Sequence, residues 1–106
     1  MERTAPDRRT HQRVPFRGNV QVIYHDEVFH DCSCMDISEG GMRLGVSLPN
    51  YSTVTLLFSM PVISNQGVIS IDAAVAWRKL NSTGVRFTEI APEVLAQLQQ
   101  YIQLHA

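Results

Sequence analysis

Two short segments of the chain carry residue types that can bind a ligand. The first holds Arg9 and Arg13, an R-x-x-x-R spacing that offers two planar guanidinium groups. Each group can pair bidentately with phosphate oxygens, donate to O6 and N7 of guanine, or stack on a purine. The second segment holds Asp36, Ser38 and Gly41, a D-x-S-x-x-G spacing. Together, the two segments suit a ligand that carries both phosphates and guanine edges.

The second segment favours guanine over adenine. The Asp36 carboxylate can accept hydrogen bonds from guanine N1–H and N2–H together, a donor pair that adenine does not offer, and Ser38 can bond at the same edge. We expect Gly40 and Gly41 to adopt positive φ and to let the backbone approach a ligand closely. The alternative is ordinary turn chemistry, in which the Asp and Ser side chains bond to the local backbone.

The distribution of charge separates the first segment from the rest of the chain. Residues 1–17 contain five arginines and two acidic residues, whereas the remaining residues contain four basic and eight acidic ones. Arginine suits planar recognition of phosphates or base edges better than lysine does. A solvated terminal tail is the alternative for such a run. The net charge of −1 gives the whole chain no preference for an acidic partner.

Length and composition predict one soluble domain. The chain has 106 residues, of which 44% are hydrophobic. It has neither an apolar leader segment nor a stretch as long as a membrane span, which predicts a cytoplasmic protein. Cys32 and Cys34 have a spacing unsuited to a disulfide or a zinc site, and no histidine clusters with them. We therefore expect no metal, no cofactor and, without an activated nucleophile or acid–base pair, no enzymatic activity.

The apolar pattern predicts a small all-β domain with a terminal helix. Residues 1–15 lack periodicity and are expected to form a flexible arm. Alternating apolar and polar residues then predict six strands, at about 17–25, 28–35, 42–46, 53–60, 68–79 and 85–88. Six short antiparallel strands indicate a β-barrel over residues 16–106. A helical period with a proline in its first turn predicts an amphipathic helix at about 92–105.

The two motifs, in this order, resemble those of the PilZ domain family, bacterial modules that bind cyclic di-GMP. The segment Val75-Ala76-Trp77 is similar to the end of a family strand, where a small residue precedes a Trp. The segment Gly84-Val85-Arg86-Phe87 is similar to the G-x-x-F of the family's next strand. The order and approximate spacing of these motifs agree from Arg8 to Phe87, and the terminal helix is also in keeping.

The resemblance implies roles for the residues at the matching positions. Arg9 and Arg13 would clamp the guanine faces and the phosphates of the ligand. Asp36 and Ser38 would read a guanine edge on the barrel surface. The resemblance thus assigns the cationic arm and the carboxylate segment to one site.

Four further residues complete the expected site. Gly40 and Gly41 would keep the turn open to the base. In the family, an Arg at the place of Arg8 goes with a stacked pair of ligands, which implies two molecules per site. The parity of Trp77 predicts a place in the core, while in some relatives the equivalent aromatic residue borders the bound guanine, so a contact of Trp77 with the ligand stays open. Arg43 and Arg78 are expected to be solvated surface residues.

The resemblance implies a cyclic di-GMP receptor. Binding would order the arm over the barrel and create a surface for a downstream protein partner. A first alternative is a PilZ-like protein-interaction module that does not bind nucleotide. A second alternative is a small barrel that binds RNA or single-stranded DNA through the arm. The acidic body and the single Trp disfavour nucleic acid, since such surfaces usually present several stacking aromatics.

Overall fold

The computed structural model describes residues 12–25, 28–60 and 67–106. The described part of the chain forms seven strands and one helix. They are β1 (Val14–Pro15), β2 (Asn19–Tyr24), β3 (Val28–Ile37), β4 (Gly41–Leu44), β5 (Thr53–Ser59), β6 (Val68–Lys79), β7 (Ser82–Glu89) and α1 (Pro92–His105).

Six of these strands close into an antiparallel barrel. Their order is β3-β2-β5-β6-β7-β4, and β4 pairs back onto β3. A closed sheet leaves no free edge to pair with another chain. The predicted six-stranded barrel with a C-terminal helix is therefore confirmed. Strand β1 is additional: its two residues, the last of the predicted arm, pair with Ile37 and Asp36 of β3.

The core is built by alternation along the barrel strands. Inward side chains from five of these strands are buried almost completely: Val20, Val22, Met42, Leu44, Leu56, Phe58, Ile69, Ile71 and Val85. Each such side chain contributes about 1.5–3 kcal/mol relative to an exposed position. The interior of the barrel is therefore filled by side chains, and ligand chemistry is confined to its outer surface.

Helix α1 packs where β1 joins β2. Its buried residues are Leu98, Tyr101 and Ile102. The ring of Phe16 makes edge contacts with the rings of Phe58 and Tyr101, at centroid distances of 5.9 and 5.5 Å. The hydroxyl of Tyr101 donates to the carbonyl oxygen of Pro15 at 3.2 Å. The helix thus holds β1, and with it the backbone next to Arg13, against the barrel.

Two β-bulges change which side chains face outward. In β3, pairing with β4 shifts between Cys34 and Asp36. As a result, Cys34 and Ile37 are both buried, although residues three apart on a regular strand face opposite sides. Asp36 lies between them on the outer side. Bulges commonly re-aim side chains next to functional sites.

The second bulge turns Trp77 out of the core. In β6, Val75 pairs with Val85 but Trp77 pairs with Gly84, so Ala76 is the extra residue. The side chain of Trp77 is 38% exposed. The predicted core position of Trp77 is therefore wrong, because the parity count assumed an uninterrupted strand.

Both cysteines are free thiols in a protected environment. Cys34 is buried and Cys32 is half-buried. Burial raises the pKa of Cys34 to about 12, and the nearby Asp36 carboxylate adds to the rise. Burial likewise raises the pKa of Cys32 to about 11. Since the thiolate is the reactive form, both thiols are protonated and unreactive at neutral pH.

These shifts predict how stability depends on alkaline pH. Between the ordinary thiol pKa of 9.0 and about 11 to 12, the folded state keeps protons that the unfolded chain loses. The free energy of unfolding should therefore fall as the pH rises above about 9. Urea denaturation of the wild type and of Cys34→Ala at several pH values from 8 upward tests this. The free energy of unfolding of Cys34→Ala should fall less steeply with pH than that of the wild type. Identical slopes would contradict the raised pKa of Cys34.

Candidate ligand-binding site

Strand pairing aligns four residues in one row across the outer face of the barrel. Asp36 of β3 pairs with Arg43 of β4, and Arg43 pairs with Gly84 of β7. Gly84 in turn pairs with Trp77 of β6. These residues are far apart in sequence. The closed barrel therefore joins the predicted Asp motif to the predicted Trp and Gly motifs through Arg43.

The carboxylate of Asp36 lies between two arginines. Arg13 Nη1 donates to Oδ1 at 2.6 Å. Arg43 donates to Oδ2 through Nε at 3.0 Å, and its Nη2 forms an ion pair with the same oxygen at 2.9 Å. The Asp36 side chain is 16% exposed, whereas those of Arg13 and Arg43 are 51% and 42% exposed. Because Arg43 alone satisfies one oxygen, a different donor can replace Arg13 at the other without leaving the carboxylate unpaired.

Ser38 holds the connection between β3 and β4. Its N–H donates to the carbonyl oxygen of Gly41 at 2.8 Å, and its hydroxyl accepts from the N–H of Gly40 at 3.1 Å. The hydroxyl also donates to the Gly41 carbonyl oxygen at 3.4 Å. Ser38 is buried, and these contacts are the turn chemistry named as an alternative. A guanine-reading role for Ser38 stays a prediction.

Of the two glycines of this connection, Gly41 is required by close packing. Neither Gly40 nor Gly41 has positive φ, so that expectation is wrong. A Cβ on Gly41 would instead collide with the carbonyl oxygen of Val85. The carbonyl of Gly40 accepts from the N–H of Phe87 at 2.8 Å. The absence of a side chain at Gly41 thus lets the start of β4 lie directly against β7.

The indole of Trp77 lies on the backbone of Gly84. A Cβ on Gly84 would collide with three indole atoms, including Nε1. The ammonium of Lys79 lies 5.2 Å from the centre of the indole, a cation–π distance. Gly84 therefore accommodates Trp77 at the surface, where the partly exposed indole ends the row that begins at Asp36.

An open groove of about 410 Å³ runs beside this row. Four of its lining residues have at most one side-chain carbon and leave a flat floor: Gly40, Gly41, Ala76 and Gly84. Arg13, Trp77 and Arg86 line the same groove. A flat floor bordered by an aromatic ring and by guanidinium groups can hold a planar base and an anionic group together.

The structure brings most of the predicted site residues together. Ser38, Gly40, Gly41 and Trp77 line the groove with Arg13, and Asp36 adjoins it through its bond to Arg13. Arg8 and Arg9 lie outside the described residues, so their roles stay predictions.

The sequence motifs give two arginines of this face no part in the site. Arg43 is on the surface, as expected, with its side chain 42% exposed, but it also bonds to Asp36. Its outward position can be read from the sequence, because Arg43 lies between the apolar residues Met42 and Leu44, which face the core. Arg86 has the same kind of signal next to the buried Val85.

Within the residues that the structure describes, no helix combines the length and apolarity needed to cross a membrane. No group of three or more His, Cys, Asp or Glu side chains among them is placed to hold a metal ion.

The family model for the PilZ domain matches residues 7–104, so the chain belongs to the PilZ domain family. The match covers both predicted motifs, the barrel and nearly all of the terminal helix. No curated protein matches the sequence.

Solved structures share the fold at low sequence identity. The Bacillus subtilis inhibitor of motility MotI/DgrA has a TM-score of 0.76 and 22% identity, over 93% of this chain and 51% of MotI/DgrA. The PilZ domain of YcgR from Escherichia coli, solved with c-di-GMP, has a TM-score of 0.71 and 21% identity, over 93% and 92% of the two chains. The PilZ domain of CeSA, from a cellulose-synthesizing bacterium, has a TM-score of 0.65 and 14% identity, over 87% and 95%. The chain thus spans about half the length of MotI/DgrA.

The contact between Trp77 and Gly84 can be tested by fluorescence, because Trp77 is the only Trp of the chain. Gly84→Ala should displace the indole into solvent and shift its emission to longer wavelength. It should also destabilise the fold by about 1–3 kcal/mol through overpacking. Gly45→Ala is the control, since its Cβ would meet mainly the flexible Ser33 side chain, at 3.3 Å. Unchanged emission in Gly84→Ala would refute the contact.

Proposed function

We propose that this protein is a cyclic di-GMP receptor whose ligand occupies the groove between Asp36 and Trp77. One observation carries the proposal: strand pairing places a carboxylate held by two arginines in the same row as a surface Trp. The groove beside this row can hold a base and an anion. Membership of the PilZ domain family supports the assignment, as does a solved relative that contains c-di-GMP.

Binding proceeds by an exchange of partners at Asp36. Guanine N1–H and N2–H donate to the carboxylate and replace the hydrogen bond from Arg13. Arg43 continues to hold Oδ2, so the carboxylate stays charged and paired throughout. The released guanidinium of Arg13 then binds a phosphate of the ligand. The exposed part of Trp77 borders the guanine ring.

The residues before Arg13 complete the clamp. Arg9 binds the opposite side of the ligand, and Arg8 supports a second, stacked ligand molecule. Ordering of this arm costs conformational entropy, which charge-assisted hydrogen bonds to the phosphates offset. The arm and the ligand together form a surface for a downstream protein. The bond from Tyr101 to Pro15 supports this scheme because it anchors the base of the arm.

Calorimetric titration with cyclic di-GMP tests the receptor function. We expect saturable binding that weakens at least tenfold in Arg9→Ala, Arg13→Ala and Asp36→Ala, since each loses charge-assisted hydrogen bonds. Arg78→Ala is the control, because Arg78 bonds to Asn50 and does not line the groove. Absence of binding to the wild type would reject the function. Binding to single-stranded nucleic acid without binding to the dinucleotide would favour the RNA- or DNA-binding alternative.

The same titration measures how many ligand molecules bind. We expect two molecules per protein chain in the wild type and one in Arg8→Leu, because the substitution removes the guanidinium that supports the second molecule. Folding of the variant is checked by its thermal unfolding. A stoichiometry of one in both proteins would reject the role of Arg8 and leave the receptor function intact.

A further inference from the structure

Arg86 is a cation of the groove that the exchange at Asp36 does not use. It lies on the outer face of β7 and is exposed. In register it pairs with Gly41 on one side and with Ala74 on the other. Neither neighbour has a side chain that reaches past Cβ. The guanidinium of Arg86 is therefore free to extend over the flat floor of the groove.

The other cations near this face already have partners. Arg43 bonds to Asp36, the ammonium of Lys79 lies over the Trp77 ring, and Arg78 bonds to Asn50. Arg86 makes no hydrogen bond or ion pair with any of the described residues. Among the described residues that line the groove, Arg86 is therefore the cation whose N–H donors have no partner.

Arg86 and Arg13 lie on opposite sides of the groove. Strand pairing runs from β1, which follows Arg13, through β3 and β4 to β7. Three strand spacings therefore separate the two backbone positions, about 14 Å at about 4.8 Å per strand. Cyclic di-GMP carries two phosphodiesters, and a single guanidinium at Arg13 pairs bidentately with one of them. Arg86 lies where a guanidinium of the barrel can bind the second phosphodiester, together with Arg9 of the arm.

We propose that Arg86 binds the phosphodiester that lies farther from Arg13, and so acts as a ligand-binding residue contributed by the rigid barrel. The proposal rests on the proposed receptor function. The sequence motifs place the phosphate-binding arginines in the arm. The proposal adds a phosphate contact from the barrel itself. Arg86 is held by β7, so its contribution requires little ordering of the backbone on binding.

Titration of Arg86→Gln, Arg86→Lys and Arg78→Gln with cyclic di-GMP at low and high salt tests the proposal. Arg86→Gln should bind at least tenfold more weakly than the wild type and should show a weaker dependence on salt. Arg86→Lys should recover the salt dependence but only part of the affinity, because lysine keeps the charge and loses the bidentate fork. Arg78→Gln should bind like the wild type. Equal thermal unfolding midpoints establish that the variants are folded.

Two outcomes would overturn the proposal, and they are distinguishable. If the wild type binds and depends on Arg13 and Asp36, but Arg86→Gln binds equally well, Arg86 is not a ligand contact and the receptor function stands. If the wild type does not bind, both the receptor function and the role of Arg86 are rejected.

Discussion

Strand β4 is only four residues long, yet it closes the barrel by pairing with β3 on one edge and with β7 on the other. Gly41 makes this approach possible, since any side chain there would collide with the carbonyl of Val85. The inward residues Met42 and Leu44 join the core, and Arg43 consequently faces outward beside Asp36. The strand pairing that closes the barrel therefore also places Arg43 beside Asp36. A change that separates β4 from β7 would dismantle both.

The electrostatics of the site follow from this placement. A lone carboxylate with 16% exposure would lose part of its hydration, and two guanidiniums compensate for that loss. They differ in what anchors them. Arg43 belongs to a barrel strand, whereas Arg13 precedes β1, which helix α1 holds through Tyr101. The proposed binding scheme uses this difference: Arg43 stays paired with Asp36, and the ligand replaces Arg13, so that no unpaired charge is exposed.

Two irregularities in the strands bring the recognition groups to the surface. The bulge in β3 lets Cys34 and Ile37 both enter the core, with Asp36 on the outer side between them. The bulge in β6 turns Trp77 from the core side to the surface, where Gly84 leaves room for the indole. Each bulge is next to an end of the row that joins Asp36 to Trp77. Bulges commonly re-aim side chains in this way next to functional sites.

The sequence by itself determined the class of fold and the main chemical groups of the site. Alternation in β5 and the helical period after Pro92 are local signals, and short-range sterics and burial suffice to read them. The motif around Asp36 was also visible, because its residue types carry their chemistry with them. Tertiary structure decided the rest. Arg43 lies in none of the motifs, and Arg86 occupies an unspecified position of G-x-x-F. The parity of Trp77 predicted a core position because the bulge in β6 cannot be read from the sequence. Strand register and bulges depend on partners distant in the chain, so only the closed barrel reveals which side chains share a face.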